Sequence, residues 1–152
     1  MNETPQASEK EAIKQRQHWM AVLARANEAE LENSLGCLDL PEYRSLRAPE
    51  IGLAMVRGRT GGTGQPFNLG ETTMTRCVIE TVSGARGFGY VRGRNRRHAE
   101  LAAIFDALLQ ERPELGQSVI QPLYDQWQAA RSLQARKAAS TRVDFMTMVR
   151  GE

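Results

Sequence analysis

Lysine is nearly missing from this chain of 152 residues: of its 20 Lys and Arg residues, only Lys10, Lys14 and Lys137 are lysine. Histidine is as scarce, with His18 and His98 alone, and the only cysteines are Cys37 and Cys77. So few and so scattered ligands exclude a metal knuckle or a disulfide framework, and the expectation is no metal and no cofactor in this chain. The two thiols read as buried groups in a reducing compartment. No apolar run approaches the roughly 18 residues needed to cross a membrane. Met1 to Gln6 shows no charged stretch leading into an apolar one, so the chain is predicted to be cytoplasmic. Aromatic residues make up 6%, and those near the arginines are few, which weakens a nucleic-acid reading.

What is present is arginine, and it is concentrated. Between positions 57 and 97 stand Arg57, Arg59, Arg76, Arg86, Arg92, Arg94, Arg96 and Arg97 against Glu71 and Glu80, a local net of +6 in a chain of net +2. Guanidinium offers a planar fork of donors that suits phosphate and carboxylate. The same stretch holds the Gly61-Gly62-Thr63-Gly64 loop, flanked by Arg57, Arg59 and Arg76. Such a stretch reads either as a surface that faces an anion or a partner chain, or more plainly as a wide, flexible hairpin loop. It is not a Walker A loop, because no Gly-Lys-Ser/Thr follows, and it is not a dinucleotide fingerprint, because a strand follows it. His98 and Glu100 start a helix at a spacing that does not converge unaided. No catalytic constellation is spaced convincingly along the chain.

The organisation predicted is a single domain, 1–152, with residues 1–8 polar and loosely held. Ser8 to Glu11 reads as a capping box opening a helix to about Ala26. Asn27 caps a shorter helix that stops at Gly36. Strands are predicted at Tyr43–Arg47, Ile51–Arg59, Thr72–Val82 and Ala85–Arg92, with a two-residue turn at Ser83-Gly84. Thr72–Val82 is mixed on both faces, so its buried side stays open. Gly87, Gly89 and Gly93 fall on one face of the last strand, where a helix, another chain or a ligand must pack closely. Asn95 caps the clearest helix, whose Leu101, Ile104, Phe105, Leu108 and Leu109 form a core stripe. A final helix from about Ser118 places Val119, Leu123, Trp127, Ala130 and Leu133 on its apolar face. The tail is unusually apolar, with Phe145, Met146, Met148 and Val149 before Arg150, so it either folds back on the core or is buried in a partner, and these five residues are the interface candidates. The fold class expected is α+β: an antiparallel sheet of about four strands, N-terminal helices, and two C-terminal helices packed on it.

Four segments together resemble the PhnG family of bacterial carbon–phosphorus lyase subunits, used in phosphonate catabolism. They are Arg16 to Ala24; Gly61 to Gly64 through Phe67, Gly70 and Thr73 to Arg76; Gly89 to Arg94 with His98 to Glu100; and Thr141 to Gly151. The likeness covers about residues 14–152. It implies a cytoplasmic heteromeric complex with PhnH, PhnI and PhnJ subunits, functionally joined by PhnL. It further implies support for making α-D-ribose 1-methylphosphonate 5-triphosphate from ATP and methylphosphonate, as a transferase component without catalytic residues of its own. The residues expected to meet an anion or a partner are Arg57, Arg59, Gly61, Gly62, Thr63, Gly64, Arg76, Arg92, Arg94 and His98. The reading from another class is an Arg-rich nucleic-acid or polyanion binding module.

Overall fold

The computed structural model describes residues 5–143. Two helices, α1 (Pro5–Leu23) and α2 (Glu28–Gly36), precede three strands, β1 (Tyr43–Arg59), β2 (Pro66–Thr81) and β3 (Arg86–Arg92). Helix α3 (Arg96–Glu111) follows, then one π-helical turn at Gly116–Ile120 and helix α4 (Gln121–Ser140). The sheet is antiparallel in the order β1-β2-β3.

The caps at Asn27 and Asn95 form as their sequences require. The Asn27 side chain accepts from the Ala29 amide at 3.1 Å while Glu30 accepts from the Asn27 amide at 3.3 Å. Asn95 Oδ1 accepts from the His98 amide at 2.9 Å. The predicted cap at Ser8 does not form, because α1 already begins at Pro5, a residue suited to the first helical position.

Three strands replace the expected four. Tyr43–Arg47 and Ile51–Arg59 are one strand, with Pro49 accommodated at an irregularity between the Arg47 and Glu50 pairings. β2 begins at Pro66, not Thr72, because Phe67 and Asn68 already pair with Gly58 and Arg57. The turn after β2 has three residues rather than two. Gly84 at φ 91 and the Thr81 amide bonded to Ala85 O mark a turn closed by a left-handed residue.

The core is α3 against the sheet. Every residue from His98 to Leu109 except Glu100 is buried, so this helix is covered on all sides. On β2 the buried residues are Thr75, Cys77, Ile79 and Thr81, which settles the face the sequence left open. On β3 they are Gly87, Gly89 and Val91. The glycines let the α3 backbone come close: an added Cβ at Gly89 would collide with Ala99 O and lie 3.1 Å from Ala103 N. At Gly87 it would collide with Ala103 O and lie 2.9 Å from Ala107 N. Of the three packing partners the sequence left open, a helix of the same chain is the one present, so this stripe is not a surface for another subunit. Gly93 has a different reason, a φ of 98 where β3 turns toward α3.

Asp106, wholly buried in the middle of α3, ties three elements together. Its carboxylate accepts from Arg16 Nη2 at 2.8 Å, Trp19 Nε1 at 2.8 Å and the Phe88 amide at 3.0 Å. The first two donors come from α1 and the third from β3.

Three surface carboxylates are held below their ordinary value of 4.5: Glu32 by a hydrogen bond from Arg97, Glu80 by Arg44 and Arg86, and Glu111 by Ser83 and Thr81. A lowered folded pKa means each contribution is fully present above about pH 4.5 and is lost as pH falls through the folded value. Thermal melts are expected to be level from pH 7 to about pH 5 and to drop below about pH 4.5, modestly, since the pairs are solvated. A melting temperature that held or rose between pH 5 and pH 3 would contradict this.

Beyond the body, β1 and β2 continue as a two-stranded arm. Every residue from Gln65 to Glu71 is exposed, and across from them Met55, Val56 and Arg57 are exposed as well. The C-terminal helix behaves similarly. Leu123 is buried and Tyr124 and Trp127 are half-buried, but residues 128–140 are all exposed, Ala130 and Leu133 included. The expected apolar face of α4 is thus covered only in its first turns.

Candidate functional site

The Gly61–Gly64 loop is the tip of the arm, and it is a closed turn. Gly61 and Gly62 take φ of 60 and 84, which only glycine adopts freely. Thr60 O accepts from the Thr63 and Gly64 amides, the latter at 2.7 Å, and Arg59 Nη1 straps Gly64 O at 3.2 Å. A Cβ at Gly64 would lie 2.6 Å from Thr60 O, so glycine is needed there for closeness. Two of the loop amides are therefore spent inside the turn rather than presented to an anion.

The five candidate arginines do not converge. Gly52, Met74 and Arg92 stand in one row across the sheet. Arg57 lies five residues further along β1, roughly 17 Å away at strand rise. Arg76 is engaged by Glu50, with Nε to Oε1 at 2.5 Å. Arg57, Arg92 and Arg94 have no hydrogen-bonding or ionic partner among the described residues, and all three are exposed. Arg92 borders a groove of about 550 Å3 with Arg25, Met74, Tyr90 and Trp127. Trp127 itself is flanked by Arg25 and Arg131, 5.0 and 5.3 Å from its ring.

His98 must be withdrawn from the binding candidates. It is buried, with Nε2 2.8 Å from Leu23 O. A carbonyl can only accept, so Nε2 carries the proton and the imidazole staples α3 to the end of α1. Glu100 points elsewhere, taking hydrogen bonds from Tyr43 Oη and Arg97. Phe145, Met146, Met148, Val149 and Arg150 lie outside the described residues.

Reactive chemistry is hard to build from what remains. Among the described residues no cluster of His, Cys, Asp and Glu could hold a metal ion. Burial, with help from Glu100, pushes the Cys77 thiol up to about 11, so it stays protonated and is a poor nucleophile. The buried carboxylate, Asp106, is saturated by donors of its own chain.

The surface that sequence reasoning missed is the apolar arm. Leu53, Met55 and Leu69 are 68%, 55% and 66% exposed, beside Ile51, Val56 and Phe67. Ile51, Leu53 and Met55 share one face, while Phe67 and Leu69 sit against Gly58 on the other. The signal was legible as Ile51-Gly52-Leu53-Ala54-Met55, an alternation with small residues between. Nothing in that alternation distinguishes a strand facing its own core from one facing another chain.

The profile of the family described as "Phosphonate metabolism protein PhnG" matches residues 14–151. The chain belongs to the PhnG family. A relative from Rhizobium meliloti (strain 1021), "Alpha-D-ribose 1-methylphosphonate 5-triphosphate synthase subunit PhnG", is 41% identical over 157 residues, covering 100% of this chain and 99% of its own. Family membership therefore extends over the arm, the glycine-striped β3 and the tail alike. Among the described residues no helix is long and apolar enough to cross a membrane.

Proposed function

We propose that this chain is a non-catalytic subunit of a cytoplasmic synthase complex that forms α-D-ribose 1-methylphosphonate 5-triphosphate from ATP and methylphosphonate. Its partners in this reading are PhnI, PhnH and PhnJ subunits, with PhnL acting functionally, and it carries no cofactor itself. The name and the full-length likeness of the relative support the assembly. The observation that carries the docking role is the arm, whose large apolar side chains are exposed on both faces. A hairpin of two strands is marginal in water, so an arm of this length is stabilised by what it binds. Large exposed apolar patches on a folded chain mark interaction sites.

The test is adenine release from ATP plus methylphosphonate. It is expected with the assembled subunits, to be absent for the purified chain alone, and to be lost when this chain is omitted from the assembly. Release by the chain alone would overturn the non-catalytic role. A second reading is favoured by the unpaired Arg57, Arg92 and Arg94: contact with a polyanion at a subunit boundary. In that case Arg92→Lys lowers activity while the complex stays assembled. A free-standing nucleic-acid binder would instead show retention on DNA that falls steeply with salt.

A further inference from the structure

The three-stranded sheet has two edges, and the chain treats them differently. At its Arg86–Phe88 end the edge of β3 is closed by side chains. The Phe88 amide donates to Asp106 Oδ2 at 3.0 Å, and Arg86 O accepts from Gln110 Nε2 at 2.8 Å and Arg16 Nη2 at 3.2 Å. The edge of β1 from Glu50 to Arg59 is open. No described side chain or backbone group outside β2 bonds its outward N–H and C=O groups. Ten residues at strand rise offer about 33 Å of unpaired ladder. Natural sheets guard such edges with lysine, proline, an inward charge or a covering element. Between Ile51 and Val56 there is none of these: the run is Ile-Gly-Leu-Ala-Met-Val.

We propose that the outward edge of β1, from Glu50 to Arg59, receives an extended strand from a partner subunit, making the arm three-stranded. The proposal rests on the subunit reading above and names how that docking is made. Main-chain hydrogen bonds would supply the ladder, and Ile51, Leu53 and Met55 on one face with Val56 on the other would select alternating apolar residues in the incoming strand. Residues 51–70 contain Arg57 and Arg59 and no acid, so the incoming strand carries carboxylate at the end that meets the tip. A second copy of this chain is the poorer occupant. Full antiparallel overlap of two β1 edges would set Arg59 against Glu50, whose carboxylate already holds Arg76 at 2.5 Å and Arg47 at 3.2 Å.

Hydrogen exchange at single-amide resolution, on the free full-length chain and on the complex purified with its partner subunits, tests this. In the free chain the amides of residues 50–59 are expected to alternate, slow where they face β2 and fast where they face outward. In the complex the outward set is expected to slow by about 100-fold or more, removing the alternation. A complex whose outward amides keep their free-chain rates overturns the strand while leaving the subunit reading intact. A free chain that is already a dimer with those amides slow replaces the partner with a second copy, and also overturns it. Failure to form any complex removes the subunit reading itself, and the proposal with it.

Discussion

Gly89→Ala is expected to destabilise the fold by about 3 kcal/mol, the upper end for overpacking, because the new methyl meets backbone rather than a movable side chain. The atoms in its way are Ala99 O and, at 2.9 Å, the Ala99 carbonyl carbon. No rotamer change in α3 relieves that contact; the helix must lift from β3. Gly87→Ala repeats the collision one turn along, at Ala103. The double variant is expected to be unfolded, since a domain of this kind holds only about 5–15 kcal/mol. Gly36→Ala is the control. Nothing lies within 4 Å of its Cβ position and its φ is not positive, so stability should stay within about 0.5 kcal/mol of the parent or rise. Equilibrium urea unfolding followed by circular dichroism reads all four. Gly89→Ala at parental stability would mean that the sheet and α3 are not packed as described.

Asp106→Ala is the second large effect, expected at about 2–4 kcal/mol; the carboxylate is buried, but Arg16 is 33% exposed and turns to water, so the cost lies below that of stranding a fully buried charge. The Arg16 guanidinium, the Trp19 indole N–H and the Phe88 amide would all lose their acceptor. The loss reaches beyond one ion pair, because the same carboxylate helps to close the β3 edge. Asp106→Asn keeps an acceptor oxygen and should cost about half as much or less. In a Trp127→Phe background, where Trp19 is the one tryptophan left, fluorescence reports the change: the alanine variant should expose the indole before global unfolding. An Asp106→Ala protein as stable as the parent would show that the network is dispensable.

Much of the body was legible because the deciding signals are local. Asn27 with Glu30, Asn95 before the Leu101–Leu109 stripe, and the glycines of β3 each state a requirement within a few residues of themselves. The helix on the glycine stripe was one of three readings, and only the chain's own return path selects it. Asp106 was not legible. Its partners Arg16 and Trp19 are 90 and 87 positions away, and a lone acid in an apolar stripe carries no sign of what will reach it. His98 was misjudged for a related reason: its acceptor, Leu23 O, is a backbone atom of another helix. Tyr43–Arg47 and Ile51–Arg59 read as two runs, whereas an irregularity between the Arg47 and Glu50 pairings lets one strand continue through Pro49. The expected face of α4 failed differently. Its spacing is amphipathic, but Leu133 is 47% exposed, and periodicity does not say whether the covering surface belongs to the same molecule.

The same ambiguity concealed the arm, on which the docking role rests. Leu53→Thr with Met55→Thr replaces two exposed apolar side chains with polar strand formers and sets no like charge against Glu71, so circular dichroism and melting should match the parent within about 0.5 kcal/mol. The direct measurement is the intact mass of the complex after co-expression with the partner subunits, parent against this double variant. The prediction is a complex that contains the parent chain and lacks the variant. A variant that is folded and fully incorporated would contradict the claim that the arm is the docking element.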